Sequence, residues 1–416
     1  MLPYLFLLYI IAYLDRVNIS FANLEMSKAL KFSDSVFGLG AGVFFIGYFL
    51  LEIPGAVIVE RWSARKWLAR IMVSWGIISA GLAFVHTPWQ FYTTRFFLGV
   101  AEAGFFPGLI IYLTHWFRNS DRAKAVAMLM AVVPLSQVIG APISGQLLKL
   151  SWLGMAGWRW LFIVEGLPAV VFGIVTLYWL TDLPEEASWL PSDEKEWIVE
   201  ELKREKHEKR SHGVVTILQA LRHRDALTFA AIYFCAVTGN YGYQFWLPTI
   251  LKRGSHLSNG MITVVGALPF VVGWVAMMIN GWHSDKHNER RLHLAMPLIL
   301  ASIAFACAAA ASTGRNIPLI IGMFCFVAMG LNSYLPAFWA FATMTLSDSA
   351  GAAAVGLINS VGNLGGFAGP YAMGWLRDHT SSFAAGIGTL SAGAMIAALL
   401  ALSLRQRTIT QHTIKG

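Results

Sequence analysis

The sequence has little charge. Only 13% of its 416 residues are Asp, Glu, Lys or Arg, whereas roughly a quarter of the residues in an average soluble domain are charged. It also has only three cysteines, none of which shows the CxxC spacing of metal sites or redox motifs. These shortages exclude a soluble enzyme, a disordered chain and a disulfide-stabilised secreted module, and they predict no metal site.

Apolar residues take the place of the missing charge. Hydrophobic residues make up 56% of the chain, and the mean hydropathy is +0.57. Lys and Arg outnumber Asp and Glu by 31 to 23. Because these basic residues recur in short connections and not in one patch, they are typical of a membrane protein and do not indicate a nucleic-acid surface.

Long apolar runs recur along the chain, each close to the roughly 20 residues that a helix needs to cross a bilayer. The first run lacks the basic start and the cleavage pattern of a signal peptide. All are too long and too uniformly apolar for the strands of an outer-membrane barrel. The sequence therefore predicts an all-α membrane protein with twelve transmembrane helices, at about 1–24, 36–58, 67–86, 89–114, 123–149, 159–181, 225–251, 259–281, 293–312, 317–345, 352–376 and 383–404.

One long polar segment divides these spans into six and six. We predict an amino-terminal bundle at 1–181, a cytoplasmic connection with an amphipathic helix at 182–224, and a carboxy-terminal bundle at 225–416. The connection either binds a partner or simply tethers the two halves as a solvated surface helix. Lys and Arg concentrate in the even-numbered connections and the carboxy-terminal tail, which predicts that both termini face the cytoplasm of a bacterial inner membrane.

A charge motif appears twice, 225 residues apart. In each copy an acid is followed directly by a cation and then by a basic pair five and six residues after the acid, at Glu60, Arg61, Arg65 and Lys66 and again at Asp285, Lys286, Arg290 and Arg291. Such a repeat indicates a duplicated six-helix bundle. We expect Glu60, Arg61, Arg65, Asp285, Lys286 and Arg290 to latch one conformation, although charges that only set membrane topology would give the same residues.

Several stretches resemble a known family: YLDRVNIS (13–20), TRFFLGVAEAGFFPG (94–108), GWRWLFIVEGLPA (157–169), YGYQFWLPTI (241–250) and NSVGNLGGFAGP (359–370). Together with the two halves and the doubled motif, they are similar to the major facilitator superfamily, and within it to the anion:cation symporters that carry tartrate, phthalate, hydroxyphenylacetate and aldonates. The resemblance covers essentially the whole chain and implies two pseudo-symmetric six-helix bundles. Glu60 and Ser63 depart from the Asp and Gly usual in the first motif.

Ionisable residues inside the spans cost roughly 2.5–3.5 kcal/mol each on insertion scales, so each needs a physical reason. All lie in the amino-terminal half: Asp15, Arg16, Glu52, Arg95, Glu102 and Glu165. We interpret Glu52, near the predicted end of its span, and Glu165 as structural. Charge chemistry is therefore expected in the first bundle and neutral recognition in the second.

The family resemblance implies that Asp15 and Glu102 handle protons and that Arg95, with Arg16, holds a substrate carboxylate. Physical chemistry agrees, because burial favours the protonated form of an acid and a buried arginine stays charged and binds a carboxylate with two parallel hydrogen bonds. We expect all four side chains to line one central cavity. A static cluster of ion pairs that holds the first and fourth spans together is the alternative.

Neutral polar side chains complete the expected substrate site. Those in the first half are Tyr13, Tyr48 and Gln137; those in the second half are Tyr241, Gln244, Asn359 and Asn363. Asparagine facing lipid is unfavourable, so Asn359 and Asn363, one helical turn apart, face either the cavity or another helix.

These residues predict a proton-coupled symporter that imports a small carboxylate by alternating access, as a monomer without a cofactor. The alternative is a proton-coupled antiporter that exports organic cations or drugs, against which the two buried arginines argue. A membrane enzyme is not expected, because the chain contains no HExxH motif, no Ser–His pairing motif and no glycine-rich phosphate loop.

Overall fold

The computed structural model describes residues 1–209, 224–313, 316–346 and 351–404. In these ranges the regular structure is helical throughout. The helices are α1 Leu2–Leu30, α2 Asp34–Arg61, α3 Ala64–Gly81, α4 Pro88–Glu102, α5 Phe105–Thr114, α6 Asn119–Leu147, α7 Gly157–Trp179, α8 Ser192–Lys209, α9 Arg224–Gly254, α10 Asn259–His287, α11 Arg291–Thr313, α12 Ile317–Leu346, α13 Gly351–Asn363, α14 Gly365–Thr380 and α15 Ala384–Ser403.

Each predicted span coincides with helix. Within the described ranges, ten helical segments are long and apolar enough to cross a membrane. The other two predicted spans correspond to α9, which carries more polar residues, and to the pair α13 and α14, each of which is short. The amphipathic helix expected in the connection is α8, and the rest of that connection, residues 210–223, lies outside the described part of the chain.

Four helices, α2, α3, α4 and α10, begin at a side chain that accepts a hydrogen bond from the first turn. The Ser33 hydroxyl accepts the backbone N–H of Val36 at 3.2 Å at the start of α2. At the start of α4, Thr87 and Gln90 form a reciprocal capping box. Such caps satisfy backbone donors that have no partner within the helix.

Two predicted continuous spans are in fact broken. The fourth is divided into α4 and α5 at Gly104, which has φ +84°, a left-handed conformation that suits glycine. There the backbone lies so close to α2 that a Cβ on Gly104 would be 3.2 Å from the Cα of Gly55. The eleventh span is interrupted at Leu364, between α13 and α14. Hydropathy does not reveal either break, because both segments stay apolar.

Helices pack both within and between the two groups of spans. Among α1–α7, the extensive contacts are α3 with α7, α2 with α4, and α1 with α6 and α7; among α9–α15 they are α12 with α10 and α11, α11 with α15, and α9 with α13 and α14. Four pairs join the groups: α2 with α14, α6 with α10, α1 with α9 and, less extensively, α2 with α13. We call the groups the first and second halves, and the surface between them the interface.

The two ends of the helix assembly are referred to by position. The end that carries Met1 and Leu404 is the terminal face, and the end with the connections around residues 31–33 and 255–258 is the opposite face. The interface is tightest towards the opposite face, where a Cβ on Gly374 of α14 would lie 2.3 Å from the carbonyl oxygen of Asp34. Glycine is therefore required there for the helices to approach.

Candidate functional site

Arg16 of α1 lies at the interface and contacts both halves. Its guanidinium group donates to the carboxylate of Glu102, the last residue of α4, and to the hydroxyl of Tyr241 in α9 at 3.5 Å. The side chain keeps 12% exposure. Three aromatic rings surround the guanidinium carbon at 5.0–5.5 Å: Tyr13, Phe44 and Tyr48. This fixed cation is therefore in a cage of acid, aromatic rings and one phenol from the other half.

Further polar and aromatic contacts cross the interface next to Arg16. The rings of Phe45 in α2 and Tyr241 have centroids 4.5 Å apart. The Gln137 amide of α6 donates to the side-chain oxygen of Gln244 in α9 at 3.4 Å, and Gln244 donates to Asn240 at 2.8 Å. The predicted site residues Gln137, Tyr241 and Gln244 are thus brought together from both halves.

Glu52 of α2 also lies at the interface, where it accepts a hydrogen bond from the Asn359 amide of α13. Its side chain is buried, with 3% exposure. Ser360 and Asn363 flank the same carboxyl group. Asn359 and Asn363 therefore face the other half and not lipid, and they lie beside an acid for which the sequence predicts a structural role.

Arg95 is in a different environment from Arg16. It is completely buried, donates to the backbone carbonyl oxygens of Gly40 and Ala41 at 3.3 and 3.2 Å, and lies over the ring of Phe44 at 4.9 Å. These contacts hold α4 against α2. In this conformation the geometry favours Arg16 over Arg95 as the cation available to a substrate.

Asp15 faces the interior of the first half. Its carboxylate accepts hydrogen bonds from Trp75 Nε1 at 2.8 Å, Ser79 Oγ at 2.6 Å and Asn18 Nδ2 at 3.0 Å. Nearby, Glu165 of α7 accepts a hydrogen bond from Ser144 of α6 at 2.8 Å. Asp15 and Arg16 diverge because adjacent residues on a helix point about 100° apart.

Of the four charged side chains expected to line one cavity, Arg16 and Glu102 form an ion pair at the interface, and Glu102 itself is only 3% exposed. Asp15 and Arg95 are enclosed by helices of their own half, with 3% and 0% exposure. Among the described residues, no group of three or more His, Cys, Asp or Glu side chains is arranged to hold a metal ion.

The predicted latch residues contact their own half in this conformation. Arg65 binds Asp182 through its backbone N–H at 2.8 Å and its guanidinium group at 3.7 Å, and Arg290 donates to Asp285 at 2.5 Å. Lys286 lies over the Trp282 ring at 5.1 Å. The side chains of the remaining two latch residues, Glu60 and Arg61, lie outside the described residues.

Sequence reasoning missed an ion pair that joins the halves at the opposite face. Arg253 of α9 binds both carboxylate oxygens of Asp34 in α2, at 2.5 and 2.6 Å. Asp378 of α14 accepts the backbone N–H groups of Asp34 and Ser35 at the start of the same helix. The sequence shows Asp34, Arg253 and Asp378 as charges at the ends of spans, but it does not show that they pair, because their pairing depends on how the two halves pack.

Comparison with known proteins identifies the family. The Major Facilitator Superfamily profile matches residues 5–370 and again residues 229–413. This chain belongs to the major facilitator superfamily. The "Putative tartrate transporter" of Agrobacterium vitis is 42% identical over 97% of this chain and 92% of its own length, and the "Quinolone resistance transporter" of Acinetobacter baumannii is 37% identical over 94% and 90%.

A solved structure has the same fold. The xylose transporter XylE from E. coli, in an inward-open conformation, superposes with a TM-score of 0.77, covering 99% of this chain and 97% of its own, at 15% sequence identity. Family and fold together establish a multi-pass membrane transporter of a small molecule, not an enzyme. They confirm the predicted fold class.

Proposed function

We propose that this transporter is a proton-coupled symporter that imports a small carboxylate across the inner membrane, with both termini in the cytoplasm. The observation that carries the proposal is the pairing of Arg16 with Glu102 at the interface. An arginine is permanently charged and suited to a carboxylate, whereas its partner acid becomes neutral when it takes up a proton. The name of the tartrate-type relatives supports an anionic substrate.

Coupling follows from competition for Arg16. With Glu102 ionised, its carboxylate occupies the guanidinium group; with Glu102 protonated, Arg16 is released to bind the carboxylate of the substrate. Proton and anion therefore strengthen each other's binding, as linkage requires. Because Tyr241 of the second half also contacts Arg16, a bound anion touches both halves and biases the rocking motion that exposes the site on each side in turn.

Asp15 is proposed as a second proton-binding acid, away from the substrate. Two of its three hydrogen bonds connect α1 with α3, and none of them involves Arg16. A proton on Asp15 changes the strength of these bonds, so protonation there acts on helix packing. Arg95 then supports the site by fixing α4, which carries Glu102, against α2. The transporter acts as a monomer, and the mechanism uses no cofactor.

Export of organic cations in exchange for protons is the second candidate. The relative named for quinolone resistance favours it. Such an antiporter needs an acid that is free to attract a cation inside an aromatic cavity, whereas Glu102 is neutralised by Arg16. The two candidates predict opposite directions of proton flow relative to the organic ion.

Purified protein in proteoliposomes separates the candidates. An inside-alkaline pH gradient should drive accumulation of a radiolabelled carboxylate such as tartrate, and addition of tartrate should make protons enter. A protonophore should abolish both signals. Failure of a panel of aliphatic, sugar and aromatic acids to accumulate, together with proton-driven extrusion of norfloxacin, would contradict the proposal and support the antiporter.

A further inference from the structure

Glu52 has one carboxyl oxygen in use and one without a partner. Oε1 accepts the hydrogen bond from Asn359, whereas Oε2 is buried and has no hydrogen-bond partner of its own among the described residues, although the Ser360 and Asn363 side chains lie near the carboxyl group. Burying a polar atom without a hydrogen-bond partner is energetically unfavourable. An acid in this state at the interface of a transporter is suited to a donor that arrives with the substrate.

The position of Glu52 relates it to Arg16 through one helix face. Tyr48 precedes Glu52 by four residues, one helical turn, so both side chains lie on the same face of α2. The Tyr48 ring is 5.3 Å from the guanidinium carbon of Arg16. The Arg16 guanidinium group, beside Tyr48, and the Glu52 carboxyl group are therefore separated along this face of α2 by about one turn, roughly 6 Å of helix axis.

The second half supplies the neutral groups around the acceptor. Asn359 orients the carboxyl group of Glu52 by donating to Oε1, and Ser360 and Asn363 stand beside it. Hydroxyl and amide side chains both donate and accept hydrogen bonds. These three side chains and Glu52 form a polar surface to which both halves contribute. Residues that only faced lipid or packed against a helix would be expected to be apolar.

We infer that Glu52, Asn359, Ser360 and Asn363 form a hydroxyl subsite, in which Glu52 Oε2 accepts the hydrogen of a substrate hydroxyl group. Resting on the proposed function, this inference specifies the substrate class as hydroxylated carboxylates, with the carboxylate held on Arg16. A deoxy analogue of the same length leaves Oε2 buried and unpaired. Sites built around such a polar group reject the analogue that lacks the donor.

The test compares each hydroxylated acid with its deoxy analogue. Uptake kcat/KM is measured in proteoliposomes for L-tartrate against succinate and for D-gluconate against hexanoate. Taking the ratio within a pair cancels differences in folding or reconstitution. The wild type should prefer the hydroxylated member by at least tenfold, and Glu52→Met, which keeps the side-chain length, should lower that ratio about 10- to 100-fold.

Glu165→Met is the matched control. Glu165 is also buried, with one oxygen bonded to Ser144 and Oε2 without a partner, but it lies between α6 and α7 inside the first half. Its replacement should leave both ratios unchanged. An unchanged ratio in Glu52→Met, or an equal fall in Glu165→Met, would overturn the hydroxyl subsite.

A second variant serves if Glu52→Met is inactive. Glu52→Gln keeps an oxygen for Asn359 and places an amide nitrogen where Oε2 was. Charge-assisted hydrogen bonds are roughly twice as strong as neutral ones, so the ratio should still fall, and an unchanged ratio would contradict the inference.

Equal wild-type uptake of both members of a pair would also overturn the hydroxyl subsite, whereas no carboxylate uptake at all would contradict the proposed function instead.

Discussion

The first half contains two arginines in its interior segments, and their surroundings differ. Arg95 is completely buried and bound by backbone carbonyl groups of a neighbouring helix, whereas Arg16 keeps 12% exposure and is bound by an acid that is able to titrate. Backbone carbonyl groups bind two nitrogens of the Arg95 guanidinium group, and its Nη1 has no hydrogen-bond partner among the described residues. Under the proposed function, a proton neutralises the acid that binds Arg16, and a substrate anion then takes the place of that acid.

The acids follow the same division. Asp15 is enclosed by Trp75, Ser79 and Asn18 of its own half, whereas Glu102 reaches the interface through Arg16. Under the proposed function, charges in the interior of the half hold helices together, and charges at the interface change partners during transport. Removing these charges separates the two roles.

The largest expected effect is the loss of transport when Arg16 is removed. The variant Arg16→Gln with Glu102→Gln removes both members of the ion pair, so neither is left without the other, yet it offers an anion no cation at this position. Counterflow of carboxylate should fall at least about 100-fold, the value of a lost charge-assisted pair. Counterflow equal to that of the single variant Glu102→Gln would place the anion elsewhere.

Asp15→Asn should have the next largest effect. It removes one proton-binding group but leaves the Arg16–Glu102 pair intact. Each coupled proton contributes about a tenfold accumulation per pH unit, so accumulation under a gradient of one unit should fall about tenfold while counterflow persists. Loss of counterflow together with accumulation would show that Asp15 acts on the substrate site and not on the helix packing.

Arg95→Met is expected to affect stability more than transport. The lost hydrogen bonds from a charged donor are worth roughly 1.5–3 kcal/mol of unfolding free energy, and uptake should change only severalfold. Thermal unfolding in detergent and uptake in proteoliposomes are the two measurements. A chain of unchanged stability that no longer binds the anion would reverse the assignment of the two arginines.

The helices were predictable from sequence because long apolar runs determine them, but their rotation was not. Arg95 and Glu102 are seven residues apart and share a helix face, yet Arg95 binds carbonyl groups of α2 while Glu102 binds α1. Which neighbour a side chain meets depends on close packing between helices, as at Gly99, whose Cβ would lie 1.9 Å from the Phe44 carbonyl oxygen.

Glu52 illustrates the same limit along the helix axis. The sequence placed it near the end of a span at 36–58, but α2 continues to Arg61, so Glu52 lies deeper. Its partner Asn359 is 307 residues away. The residue types of the site were recognisable as polar groups in apolar runs, whereas contacts across the interface require the packing of two separate halves.

The smallest expected effect concerns pH at the opposite face. Burial raises the pKa of Asp378, but hydrogen bonds from Ser35, Ser33 and the Asp34 amide outweigh it and lower the pKa overall. The ionised Asp378 carboxylate therefore stabilises the contact between α14 and the start of α2 at any pH above its ordinary pKa of about 3.9. This stabilisation is lost only as the pH falls through the lowered pKa.

Spin labels at exposed positions measure the distance between the two halves at the opposite face. In a chain with Asp15→Asn and Glu102→Gln, which removes the proposed coupling acids, the distance between labels on His86 and Ser381 should stay constant from pH 8 to pH 5. Arg253→Gln should lengthen it at every pH. If the label distance in the chain without these two acids lengthens on acidification, the pH-sensitive contact lies at the opposite face and not at the Arg16–Glu102 pair.

Glu102→Gln tests the central claim most directly, because the amide imitates the protonated acid and leaves Arg16 permanently available. Accumulation and counterflow of the same radiolabelled carboxylate are measured in one preparation of proteoliposomes. We expect accumulation driven by the pH gradient to disappear while counterflow continues and loses its dependence on pH. Gradient-driven accumulation equal to that of the wild type would contradict the proposal that Glu102 releases Arg16 by taking up a proton.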